Sequence, residues 1–219
     1  MGYDATTIRT SKYREHRRMT ARTVLLATSN AGKLRDFAGA AAAFGITIAN
    51  IPNFSSLPEV VEDGATFEEN ARKKAESYSV AVPGELVLAD DSGLEIDALG
   101  GAPGVRSARY AADDPHAAEC STVDEANNAK VLRELKGVPE QKRSARFVCV
   151  LAAARDGQTV HTFRGSAEGI IHKIIKKRRE YLDKFSLFCF FNGHFKHIRN
   201  IFTFIPYFQC LAVIAFAPA

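Results

Sequence analysis

Short apolar runs alternate with stretches of helical periodicity over most of the chain, and polar, glycine-bearing turns separate them. Residues 23–27 form an apolar run of central-strand length. A helical stretch over 34–44 follows, and Gly45 is suited to cap its C-terminus. Residues 46–50 predict a second strand. After a loop holding Pro52, Asn53, Ser55, Ser56 and Pro58, a helix is expected from about 66 to 81, because Thr66 and Glu69 have the spacing of a capping box. The apolar run at 87–89 stops at Asp90, Asp91, Ser92 and Gly93, which predicts a buried strand whose end delivers two adjacent carboxylates to a loop. Three glycines and a proline make 99–104 a tight, shaped loop. Residues 122–135 predict a third helix, with Thr122 and Glu125 as a second capping box. Residues 144–154 read as a strand, Asp156-Gly157 as a hairpin turn, 159–163 as the partner strand and 165–169 as the start of the return. Strands interleaved with helices indicate an α/β fold.

The carboxylate pair is the first candidate for chemistry. Successive side chains on a strand point to opposite faces, so one Asp can face a cleft while the other is tied into the scaffold. Ligands in open α/β sheets collect at strand ends. Gly93 would let the backbone turn or approach a ligand closely. An ordinary polar turn after a strand uses the same residue types. The second candidate is Thr28-Ser29-Asn30-Ala31-Gly32-Lys33, which joins the first strand to its helix. Helix N-terminal amides and the helix dipole favour anions, and Lys33 adds a point charge suited to a phosphate. The Walker A spacing is absent. A plain turn with Ser29 or Asn30 as N-cap is the alternative. Asn70 and Lys74 share a helical face with Thr66 and either line a polar cleft or face solvent. Arg106 and Arg109 can meet an anion or pair with surface acids, and His161 reads as a structural histidine.

Composition narrows the classes. The chain has 219 residues, 46% hydrophobic and 25% charged, within the globular range and enough for one α/β domain with appendages. Its net charge of +4 is concentrated after residue 171, where eight of the 29 Lys and Arg meet two of the 25 acids. The rest is slightly acidic, which argues against a nucleic-acid partner. Cys120, Cys149, Cys189 and Cys210 form no C-x-x-C pair and no signal peptide is evident, so a reducing, cytoplasmic setting is expected. Residues 1–22 are basic and poor in apolar residues, which reads as a disordered extension, with Met19 as an alternative start. From 172 to 219 the character changes, and nine of the 15 phenylalanines fall there. The apolar end of this tail is a candidate membrane anchor, though Asn200, Thr203, Pro206 and Gln209 weaken it. Cys189, His194, His197 and Cys210 match no structural zinc spacing.

Taken together, the motifs resemble the purine nucleoside triphosphate pyrophosphatases of the inosine triphosphatase or Ham1-like family. The matching blocks are residues 28–33 (TSNAGK), 66–71 (TFEENA) with Lys74, 89–94 (ADDSGL), 100–104 (GGAPG) running into 107–110 (SARY), 146–149 (RFVC) and Gly165-x-x-x-Gly169-x-Ile171. Six blocks in order over 23–171 make the resemblance specific. It implies an elongated mixed sheet with flanking helices and two lobes around a nucleotide cleft. It implies Mg2+-dependent hydrolysis of non-canonical purine nucleoside triphosphates (ITP, dITP, XTP) to the monophosphate and pyrophosphate, usually by a homodimer. By resemblance Asp91 is the proton acceptor and a metal ligand, and Glu62 the second metal carboxylate with Glu59 as alternative. Thr28, Ser29, Asn30, Ala31, Gly32, Lys33, Lys74 and Ser92 would hold the triphosphate. The pattern departs after Ile171, where the family's Gly-Phe-Gly-Tyr-Asp-Pro and Ser-His-Arg motifs for base and phosphate are missing. A frameshift, retained intron or alternative exon would produce such a break. The alternative function is a catalytically impaired, triphosphate-binding or misfolded product with a membrane-associating tail.

Overall fold

The computed structural model describes residues 22–172. The expectations for the basic extension and for the phenylalanine-rich tail, with its candidate set Cys189, His194, His197 and Cys210, lie outside the described residues. Five strands form one mixed sheet: β1 (Arg22–Leu26), β2 (Ile46–Asn50), β3 (Val87–Ile96), β4 (Ser144–Arg155) and β5 (Gln158–Ile170), in the order β2-β1-β3-β4-β5. β1 runs parallel to β2 and β3, and the β3–β4 and β4–β5 pairs are antiparallel. Three helices flank the sheet: α1 (Ala31–Ala42), α2 (Phe67–Ser79) and α3 (Val123–Glu134). Among the described residues no helix is long and apolar enough to cross a membrane.

The sheet is long because β3, β4 and β5 continue past the end of β1. β1 pairs with β3 only at Leu25–Val87 and Leu26–Leu88, whereas β4 follows β3 to Ile96. This changes the reading of Asp90 and Asp91. They do not end a strand; they sit inside β3, just beyond the last residue that β1 covers. The parallel part of the sheet stops there, so a strand-end opening still forms on the β1 side while the antiparallel ladder continues on the other.

Around the near half of the sheet, α1 packs Phe37, Ala40 and Ala41 on one side, and α2 packs Phe67, Ala71 and Ala75 on the other. Around the far half, Leu94, Ile96, Tyr110, Val131, Leu135 and Ile171 form a separate core under α3. Each cluster removes several large apolar side chains from water, at about 1.5–3 kcal/mol for each fully buried one. The expected strand-and-helix order holds, with shifted ends. α1 begins at Ala31 rather than Leu34, α2 ends at Ser79, and residues 165–169 belong to β5 instead of starting a return. The two-residue turn at Asp156 (φ 51°) and Gly157 (φ 80°) joins β4 to β5, matching the left-handed geometry that Asp-Gly favours.

Gly93 serves close approach, not a turn. A Cβ at this position would meet the Ser107 hydroxyl, the Gly104 carbonyl at 2.7 Å and the Phe67 ring at 2.9 Å. The missing side chain lets the Gly104–Arg109 segment and the start of α2 close on β3 beside the carboxylates. Ser107 Oγ accepts from the Leu94 amide and donates to the Gly104 carbonyl, which fixes that segment.

Candidate active site

Alternation along β3 sends Asp90 to the α1 face and Asp91 to the α2 face. Both are buried, at 5% and 9% exposure, so each charge needs a partner. Each meets a lysine from the helix on its own side. Lys33, in the first turn of α1, donates from Nζ to Asp90 Oδ2 at 2.7 Å. Lys74, in the second turn of α2, lies 3.9 Å from Asp91 Oδ1 and donates to Glu62 Oε2 at 3.1 Å.

The two pairs differ in strength. Burial tends to lower the Lys33 pKa, but the charge and hydrogen bond of Asp90 outweigh it, and the ammonium is held above its ordinary 10.5. Asp91 also acts on Lys33 through its charge, so this lysine lies within electrostatic reach of both acids. Asp91 is perturbed upward from 3.8. Burial is the largest cause, the Lys74 charge and the Asn70 hydrogen bond oppose it, and the negative charge of Glu62 adds to it. An acid whose charge is incompletely compensated beside a second acid favours an added cation.

The turn before α1 is tighter than a row of open amides. Asn30 is the N-cap, and its Oδ1 accepts from the amides of Gly32 at 2.8 Å and Lys33 at 3.2 Å. The Asn30 amide in turn donates to Thr28 Oγ1 at 3.1 Å. A phosphate arriving here would meet the side chains of Thr28, Ser29 and Lys33 and would compete with Asn30 for the Gly32 and Lys33 amides; Ala31 begins the helix between them. Ser92 gives its amide to Asp91 Oδ1 at 3.0 Å, while its side chain, by alternation, belongs to the Asp90 face.

The loop 62–64 brings the second acid. Glu62 is part-buried against Lys74, whereas Glu59 is exposed, so Glu62 is the acid that shares a lysine with Asp91. Three contacts hold the loop: Arg109 Nη2 donates to the Glu62 carbonyl at 2.9 Å, Lys73 pairs with Asp63 at 2.5 Å, and the Gly64 amide donates to Asn70 Oδ1 at 2.8 Å. Thr66 caps α2 through the Glu69 amide, and Glu69 reaches back to the Ala65 amide at 2.7 Å, one residue earlier than a capping box requires. The α2 face carrying Asn70 and Lys74 therefore lines the site instead of facing solvent.

Sequence patterns alone leave the parts of Asn70 and Arg109 unread. Asn70 is fully buried and also donates from Nδ2 to Asp91 Oδ2 at 3.0 Å. Arg106 takes the other course, a two-oxygen pair with Asp113. His161 is exposed, on the same face of β5 as the buried Phe163, with its ring 4.4 Å from that of Phe163.

Among the described residues no group of three or more His, Cys, Asp or Glu side chains stands together as a complete metal cage. Two hard carboxylates, Asp91 and Glu62, with a lysine ammonium already between them, suit a small divalent cation that takes its remaining oxygens from water and phosphate.

The model of the Ham1 family matches residues 24–183, reaching beyond the last sequence motif at Ile171. A protein of Desulforamulus reducens named dITP/XTP pyrophosphatase is 47% identical over 153 residues, covering 70% of this chain and 72% of that protein. A protein of the same name from Geobacter sulfurreducens is 46% identical over 148 residues, covering 68% of this chain and 70% of that protein. The solved Ham1 protein of Staphylococcus aureus superposes with a TM-score of 0.56 at 36% identity, over 69% of this chain and 72% of that one. With six ordered motifs, the mixed sheet and a family match over most of its length, the chain belongs to the Ham1 family.

Proposed function

We propose that this chain hydrolyses inosine, deoxyinosine and xanthosine triphosphates to the monophosphate and pyrophosphate, with Mg2+ as cofactor. The observation that carries the reading is the Asp91–Lys74–Glu62 arrangement beside the β1–α1 turn: two acids sharing one ammonium, with a second lysine on the opposite face of the same strand. The names of the relatives from D. reducens and G. sulfurreducens supply the substrate class. A homodimer, as the resemblance implies, and the cytoplasmic setting expected from the cysteines belong to the same reading.

Asp91 and Glu62 would hold the magnesium ion, which when bound neutralises charge on the phosphate oxygens. The other steps fall to side chains. Lys33 and Lys74 receive phosphate oxygens from the two faces of β3, with Thr28, Ser29 and Ser92 as hydroxyl partners and the Asn30, Ala31 and Gly32 backbone as the anion turn. Asp91 Oδ2 accepts from Asn70 and Oδ1 from the Ser92 amide, and a carboxylate held in this way keeps lone pairs with which to take the proton from the attacking water. Its raised pKa moves this carboxylate in the direction a proton acceptor needs.

A second reading rests on the sequence after Ile171, where the family's base-binding motifs are missing. In that case the phosphate and metal half operates without selection among bases, or does not turn over. Pyrophosphate release from ITP, XTP and ATP by the full-length chain with Mg2+ separates the readings. Release from ITP well above ATP supports the proposal, equal rates support an unselective site, and no release above buffer excludes turnover.

A further inference from the structure

Asn70 is the fully buried polar side chain at the join between the β3 carboxylates and the Glu62 loop. Its amide is fully committed in direction. The Gly64 N–H can only donate, so the atom it meets at 2.8 Å must be the Asn70 oxygen, and the nitrogen is then left to donate to Asp91 Oδ2 at 3.0 Å. One planar group thus ties the loop that carries Glu62 to the strand that carries Asp91. Space is tight as well: a Cβ on Gly64 would stand 2.7 Å from Asn70 Oδ1 and 2.8 Å from Glu69 Cβ.

We propose that Asn70 is the positioning residue of the metal site, setting the separation and orientation of Asp91 and Glu62 through this two-armed amide. The proposal rests on the functional reading above. Holding Oδ2 leaves Oδ1 as the face of Asp91 turned toward Lys74, and holding Gly64 fixes the backbone two residues from Glu62. A residue with only a packing role would need shape, and an isosteric replacement would satisfy it. A positioning residue needs the donor on one arm and the acceptor on the other.

Three variants of the full-length chain separate these roles. Asn70→Asp keeps shape and the acceptor toward Gly64 but presents an oxygen to Asp91. Asn70→Ala removes both arms. Gly64→Ala keeps Asn70 in the sequence but disturbs the loop arm, because the added Cβ would press on Asn70 Oδ1. Manganese binding is read by electron paramagnetic resonance, with and without a non-hydrolysable inosine triphosphate analogue, next to thermal melting. Loss of a group that orients a metal ligand typically weakens metal binding about 10–100-fold. That loss is expected for Asn70→Asp with cooperative melting retained, and in the same direction for Gly64→Ala. Manganese binding by Asn70→Asp equal to wild type overturns the proposal alone. If Asn70→Asp fails to fold, Gly64→Ala decides, and unchanged binding there overturns it. A folded wild-type chain that binds no manganese overturns the functional reading and this proposal together.

Discussion

The two faces of β3 carry the same residue type at adjacent positions and treat it differently. On the α1 face, Asp90 is closed into a short ion pair with Lys33. On the α2 face, Asp91 stands 3.9 Å from a lysine that is closer to Glu62, and burial pushes its carboxyl upward. The first acid is satisfied within the fold, and the second is left with unmet charge. A scaffold acid and a reactive acid therefore need no difference in residue type. The difference lies in whether the facing helix supplies a cation of its own or one shared with another acid.

Swapping each acid for its amide breaks the comparison most sharply. Asp91→Asn should lower turnover by about 10²–10⁴, the usual contribution of a positioned proton acceptor, measured as pyrophosphate release. The same change should raise thermal stability. Because the folded state raises the Asp91 pKa above 3.8, ionisation of this group opposes folding once pH rises through that window. Removing it should add stability at neutral pH, read by thermal melting, with part of the gain offset because an amide cannot accept from both Asn70 and the Ser92 amide. Asp90→Asn should do the reverse. It leaves Lys33 without its close partner, and about 1–2 kcal/mol of stability should be lost, discounted because Lys33 keeps part of its surface in water. A similar loss of both properties in the two variants would erase the distinction between the faces.

Gly93→Ala tests the close approach beside the pair. Overpacking against a backbone carbonyl and a buried ring should cost about 1–3 kcal/mol, visible as a lower melting temperature.

Local chemistry made much of the fold legible. The Asp156-Gly157 hairpin and the Thr66 and Thr122 caps depend on neighbours within four residues, and they stand where the pattern puts them. The continuation of β3 through Asp90, Asp91 and Ser92 was not legible, because the partners that keep it a strand, Leu151, Val150 and Cys149, are about sixty residues away. A carboxylate pair in mid-strand reads as a turn until the pairing strand is known. The candidate site divides in the same way. The α2 face was ambiguous between cleft and solvent, and contacts from Gly64, Glu62 and Asp91 decide it. Arg109 reads from the sequence as an anion contact or a partner of surface acids, but its partner is a main-chain carbonyl, which no charge pattern announces.

Arg109→Ala sharpens the picture with a smaller effect. Losing the bond to the Glu62 carbonyl should loosen the loop and raise the half-saturating Mg2+ concentration by roughly tenfold, the low end for groups that orient metal ligands, with little change in melting temperature. The smallest effect is expected far from the site. The Asp97 carboxyl is held below 3.8 by its hydrogen bond with Ser144 and then by Arg146. Its stabilisation is present above that pH and is lost as pH falls through the lowered value, so Asp97→Asn should flatten the acid limb of the stability curve below about pH 4 and leave turnover unchanged.

The most direct test of the central claim is the release of pyrophosphate from ITP by the folded full-length chain with Mg2+, run beside Asp91→Asn. The account predicts steady, magnesium-dependent release by the wild type and loss of it in the variant. A folded wild-type chain that releases none above buffer at high concentration, or an Asp91→Asn variant as active as wild type, would contradict it.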